Sequence, residues 1–103
     1  MFVRMETGHF KPEKLDFVTH TLEKDVIPLL KKQHGFRDEL SFFDDKEKQL
    51  NAISFWETRN DLEKYEREVY PKIREKMADA FVAQPKSHRY EVANSTWYKI
   101  HAA

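Results

Sequence analysis

Hydropathy changes its period along this chain, and that alternation restricts the fold more than any single motif. From Phe2 to His9 the side chains alternate, with Val3, Met5 and Thr7 on one side and Phe2, Arg4 and Glu6 on the other. From Glu13 the apolar residues fall three and four apart, at Leu15, Val18, Leu22 and Val26 with Leu29 following, which is the stripe of an amphipathic helix. Pro12 suits the start of that helix, where its missing N–H is not needed. Pro28 lies inside the stripe and is expected to kink or split the helix near Lys24–Asp25, because it removes a hydrogen bond and crowds the preceding turn. Gly35 then closes the segment at the position that favours glycine. Phe36 to Asp44 alternates again, and Leu50 to Glu57 returns beside it across the solvated turn Asp44-Asp45-Lys46-Glu47-Lys48-Gln49. Thr58 and Asp61 form a capping box before a second stripe, Leu62, Tyr65, Val69, Ile73 and Met77, closed by Ala80 and Phe81 and interrupted at Pro71. Arg89 to Ile100 reads as a last strand, interrupted near Asn94.

The order is strand, helix, strand, strand, helix, strand. Right-handed crossovers place both helices on one face of a four-stranded antiparallel sheet, so the expected class is α+β with the ferredoxin-like βαββαβ topology. The 103 residues are expected to form one such domain, spanning residues 1–103. The other sheet face is then bare, and apolar surface of that kind is costly in water. An isologous dimer, two sheets face to face, is the simplest cover. Phe2, Arg4 and Phe55 are assigned to that dimer face, although alternation alone leaves open which set faces the helices.

Composition removes several function classes. Lys plus Arg and Asp plus Glu both number 18, which is not the charge footprint of a nucleic-acid-binding domain. RNA-recognition domains share this topology, but the third strand, Leu50 to Glu57, has neither the glycine nor the basic start of their motif. The chain has no cysteine, which excludes disulfides, thiolate metal sites and cysteine nucleophiles and fits a cytoplasmic location. No apolar run approaches the ~20 residues of a membrane span. His9, His20, His34, His88 and His101 show no H-x-H or H-x-x-x-H spacing, so no metal site is expected. No serine stands in a G-x-S-x-G context, and two glycines do not make a phosphate loop.

Two stretches carry a family resemblance. One is Val26-Ile27-Pro28-Leu29-Leu30-Lys31-Lys32-Gln33-His34-Gly35-Phe36; the other is Ile53-Ser54-Phe55-Trp56-Glu57-Thr58 followed by Asp61-Leu62-Glu63. With the order of elements, they resemble the antibiotic biosynthesis monooxygenases of the dimeric α/β-barrel superfamily. The resemblance implies a homodimer whose sheets form a barrel, with a small apolar pocket between sheet and helices in each copy. Members oxidise aromatic polyketides or quinols without metal or flavin, and others degrade haem. The haem-degrading members use an Asn late in the first strand, a Trp in the second helix and a later His. The matching positions here are Thr7, Tyr65 and about Glu75, so none of the three is retained. A carboxylate is a poor replacement for an imidazole on haem iron.

On this resemblance the pocket is lined by Thr7, Trp56, Tyr65 and Tyr70. Trp56 reads more readily as a core aromatic locking strand to helix than as a wall that stacks on a ligand. Tyr65 could donate a hydrogen bond to a quinol or ketone oxygen, or satisfy a backbone carbonyl. His9, at the end of the first strand, and Tyr65 are the catalytic candidates; a cofactor-free oxygenase needs a base, and imidazole has a suitable pKa. Arg4 and Glu6 share a strand face and could bind a polar substrate, though such pairs more often make cross-strand or dimer contacts. The expected function is a cofactor-independent monooxygenase acting on a small aromatic or quinol-like compound. The alternative is a non-catalytic dimeric module that binds a small apolar metabolite.

Overall fold

Strand β1 (Phe2–His9) occupies the middle of the sheet, between β3 (Gln49–Trp56) and β4 (Lys86–Glu91), with β2 (Phe36–Asp44) on the far edge. Every neighbouring pair is antiparallel, in the order β2-β3-β1-β4. This is the ferredoxin-like arrangement that the periodicity implies. The computed structural model describes residues 1–98. Among those residues no helix is long and apolar enough to cross a membrane.

The first helical segment opens with a turn of 3-10 helix at Pro12–Lys14 and runs as α1 (Leu15–Thr21), a π-helical turn (Leu22–Val26) and α2 (Ile27–Lys31). The expected break at Pro28 is therefore present and takes the form of a π turn. Pro28 cannot donate to the carbonyl of Lys24, and the wider turn accommodates the lost bond. The second segment divides in the same way. Helix α3 (Arg59–Glu68) ends, Val69 departs to φ −117°, and α4 (Tyr70–Met77) restarts with Pro71 in its first turn. Thr58 caps α3: its hydroxyl oxygen accepts the Asp61 N–H at 3.1 Å and its O–H donates to the Asp61 carboxylate at 2.7 Å. His34 Nδ1 lies 2.8 Å from the other oxygen of that carboxylate, tying the α2–β2 turn to the start of α3. With His34 as the main cause, these bonds hold the Asp61 carboxyl below its ordinary pKa. Gly35, at φ 79°, permits this approach, because a Cβ there would collide with Asp61.

The helices cover one face of the sheet. Val18, Leu22, Val26 and Leu30 from the first segment meet Leu62, Tyr65, Ile73 and Met77 from the second over Phe10, Leu50 and Trp56. Two expectations are corrected. Phe2 and Arg4 do not share the bare face with Phe55. Arg4 is buried under α3, where it meets Glu66, and Phe2 packs on the core under the Arg59 guanidinium. Phe55 pairs with Val3, so the odd-numbered positions of β1 and β3 face away from the helices. The last strand is also shorter than Arg89 to Ile100. It starts earlier, at Lys86, and ends at Glu91; Trp97 and Tyr98 lie against Phe55, with ring centroids 6.0 and 6.1 Å away. Ile100 lies outside the described residues.

Candidate functional site

A cavity of about 70 Å³ lies between the sheet and the helices. Its floor is Gly8, Leu50 and Ala52; Leu22, Val26 and Leu30 form one wall and Ile73, Met77 and Phe81 another. Gly8 matters here because a Cβ would stand 2.9 Å from the Phe81 ring, so any larger residue would push that wall away. Alternation on β1 delivers two polar side chains into this apolar space, Arg4 and Glu6, and the helices add Tyr65 and Tyr70.

Arg4 is the centre of a network of hydrogen bonds and ion pairs. Its Nη1 donates to Glu6 Oε2 at 2.9 Å and its Nε to Glu66 Oε2 at 3.1 Å. The other Glu66 oxygen is 2.6 Å from Arg89 Nη2 on β4. The Arg4 guanidinium stacks over the Tyr70 ring, 3.9 Å from its centroid, and the Tyr70 hydroxyl donates to Glu6 Oε1. Burial works against the Arg4 charge, but Glu6 and Tyr70 outweigh it, and the net shift is further toward the protonated form. Burial, then the Glu6 charge, push the Tyr70 phenol up to about 12. Burial also raises the Tyr65 phenol, with the Arg4 charge opposing it. Both tyrosines are therefore neutral phenols at ordinary pH, able to donate a hydrogen bond and unable to act as bases.

The two tyrosines differ in availability. The Tyr70 O–H is committed to Glu6. Tyr65 packs face to face on Trp56, with centroids 4.7 Å apart, and no partner for its hydroxyl is found among the described residues. Of the four residues expected to line the pocket, Tyr65 and Tyr70 do so. Trp56 is fully buried behind Tyr65, with Nε1 donating to Ser54 Oγ at 2.9 Å, and acts as the support of the wall. Thr7 faces away from the helices, where its hydroxyl donates to Asn51 Oδ1 at 2.7 Å. His9 is an exposed residue at the end of β1, on the same side as Thr7 and outside the cavity lining. The pleat explains both corrections: Thr7 and His9 are odd positions on a strand whose even positions point at the helices. The sequence reading missed Glu39, whose place on the cavity-facing side of β2 is signalled only by its register opposite Ser54.

A second hollow of about 410 Å³ lies between α1 and the β2–β3 turn, over Phe10 and Phe43, with Asp16, His20 and Glu23 on its rim. It is a broad surface groove. Among the described residues no group of three or more His, Cys, Asp or Glu could hold a metal ion.

No family model and no curated protein matches the sequence. Solved structures do match. A monooxygenase from the gene ActVA-Orf6 of Streptomyces coelicolor, in complex with the ligand Nanaomycin D, superposes with a TM-score of 0.79 over 91% of this chain and 88% of that one, at 13% identity. A candidate antibiotic biosynthesis monooxygenase from Nitrosomonas europaea gives 0.78 over 91% and 100%, at 16% identity. This chain has the fold of the antibiotic biosynthesis monooxygenases. The resemblance drawn from the two sequence stretches thus holds for the fold. At these identities the likeness extends no further; a conserved protein from Methanosarcina mazei Go1, of no stated activity, matches at TM-score 0.74 and 18% identity over 87% of this chain and 91% of that one.

Proposed function

We propose that this protein is a cofactor-independent monooxygenase of a small aromatic or quinol-like compound, working as a homodimer. The observation that carries the reading is the apolar cavity between sheet and helices whose lining includes Tyr65, a neutral phenol with no hydroxyl partner among the described residues. An apolar site with a few convergent polar groups is the usual form of a small-molecule pocket. The substrate ring lies against Leu50, Ile73 and Met77, and a carbonyl or hydroxyl oxygen accepts from Tyr65. As the bound substrate loses a proton, negative charge grows on that oxygen, and a fixed donor in a dry site stabilises it. The cavity, at about 70 Å³, is smaller than the roughly 150 Å³ that admits a benzene ring. Entry of a ring therefore displaces the flexible side chains of Arg74 and Met77, both part of the lining. That a protein of this fold has been solved with the ligand Nanaomycin D supports a small-molecule ligand.

The test is turnover of 1,4-naphthohydroquinone under labelled dioxygen without added flavin or metal, with the product read by mass spectrometry. The expected result is label in the product and a loss of roughly 10²–10³-fold in kcat for Tyr65→Phe, the cost of removing one such donor. Binding without label would make the protein a non-catalytic module for a small apolar metabolite.

The homodimer rests on the bare face. Met5, Leu40, Phe42, Ile53 and Tyr90 lie on it, with Phe42 51% and Tyr90 52% exposed, and Trp97, 64% exposed, stands at its margin beside Phe55. These exposed apolar side chains, on a chain of zero net charge, favour a second copy of that chain over a charged partner. Sedimentation velocity at micromolar concentration is expected to show a dimer that Phe42→Asp converts to monomer; a monomeric wild-type chain would remove this part of the proposal.

A further inference from the structure

Glu39 is the carboxylate of this cavity that no cation claims. Glu6 is held by Arg4 and Tyr70, and Glu66 lies between Arg4 and Arg89. Glu39 forms no ion pair among the described residues, and its one hydrogen bond there is from the Ser41 hydroxyl to Oε1, leaving Oε2 free to accept. It sits on β2 opposite Ser54, while Tyr65 enters the same cavity from α3. The other charged or titratable groups of the lining are Arg4 and Glu6 from β1 and Tyr70 and Arg74 from α4. Arg4 and Glu6 neutralise one another, and Tyr70 is committed to Glu6.

We propose that Glu39 is the proton acceptor of this site, the group that takes the proton from a phenolic or enolic hydroxyl of the bound substrate. The inference rests on the monooxygenase reading above and adds the base that reading requires. The step is a proton transfer. The substrate O–H bond breaks, its electron pair stays on the substrate oxygen, and the proton forms a bond to Glu39 Oε2. Dioxygen is the oxidant that consumes the resulting anion. Ser41 positions the carboxylate by fixing Oε1. Burial raises the Glu39 pKa and the Ser41 hydrogen bond opposes that shift, which makes the carboxylate a stronger base than a solvated one. A para-quinol suits the layout because it has two oxygens, one to give its proton to Glu39 and one to accept from Tyr65.

The test uses 4-nitrophenol, whose phenolate is coloured, titrated with wild-type protein and with Glu39→Gln across a range of pH. A carboxylate that shares the proton of a bound phenol retains that proton within the pair, so its loss to solvent, which leaves full phenolate, moves to higher pH. The bound probe is therefore expected to ionise about one pH unit higher in the wild type than in Glu39→Gln, roughly a tenfold difference in phenolate at fixed pH. Glu39→Asp, which keeps the charge on a shorter stem, is expected to retain part of that difference and serves if the glutamine variant does not fold. Binding with the same ionisation in wild type and variant overturns the role of Glu39 and leaves the cavity reading intact. Failure of the wild type to bind the probe at millimolar concentration overturns both.

Discussion

Replacing Arg4 with methionine is expected to lower the free energy of unfolding by about 3–5 kcal/mol, the cost of breaking a buried ion pair by removing one partner. The Arg4 side chain is 6% exposed, and the Glu6 and Glu66 side chains that it neutralises are 19% and 16% exposed. Without the guanidinium, Glu6 keeps only the Tyr70 hydroxyl. Glu66 keeps only Arg89, which is half exposed and correspondingly screened. The ring of Tyr70 also loses the cation stacked on it. A full loss of this size is a large fraction of the ~5–15 kcal/mol that typically holds a domain folded. Urea unfolding of Arg4→Met, Glu6→Gln and the double variant separates the contributions. The double variant is expected to be more stable than the sum of the single losses predicts, because the stranded Glu6 charge is gone. A loss under about 1 kcal/mol for Arg4→Met would mean that the network behaves as a solvated surface pair.

Trp56→Ala is expected to cost a similar amount, about 3–5 kcal/mol, through the cavity it leaves. Trp56 is completely buried, stacks on Tyr65, and meets the Phe36 ring edge-on with centroids 5.5 Å apart. Its indole N–H is also the partner of the buried Ser54 hydroxyl. Trp56→Phe keeps most of the apolar volume but leaves Ser54 unpaired, so a smaller loss of about 1–3 kcal/mol is expected. Thermal unfolding measures both. Because Trp56 backs Tyr65, the alanine variant is also expected to weaken ligand binding in the cavity, which equilibrium titration at a temperature below its transition reads separately. A Trp56→Ala variant with unchanged stability would contradict the core role assigned to this side chain.

The order of elements was legible because backbone geometry imposes its periods on local sequence. Side chains two apart share a strand face and side chains three and four apart share a helix face, so Val3-Met5-Thr7 and Leu62-Tyr65-Val69 announce their elements without any knowledge of the rest of the chain. The two helix breaks were legible for the same reason: Pro28 and Pro71 act through their own missing N–H and on the turn immediately before them. The likeness of two short stretches to a family pointed to the same fold.

Which face of the sheet each set occupies was settled only by the tertiary structure. Phe2-Arg4-Glu6 and Val3-Met5-Thr7 are both mixtures of apolar and polar residues, so hydropathy does not choose between them. The choice is made by partners distant in sequence. Glu66 and Tyr70 lie 62 and 64 residues beyond the groups on β1 to which they bond, and together they make a buried arginine tolerable. With that set turned toward the helices, Thr7 and His9 necessarily turn away, and the residues expected in the pocket divide accordingly. Glu39 was illegible for a related reason. A glutamate on an edge strand ordinarily faces water, and only its register opposite Ser54, beneath helices formed elsewhere in the chain, brings it into the cavity. Local periodicity thus determined the elements and their order. The desolvation and pairing of a few charged groups, which exist only once the helices have packed on the sheet, decided where the site lies and which side chains it contains.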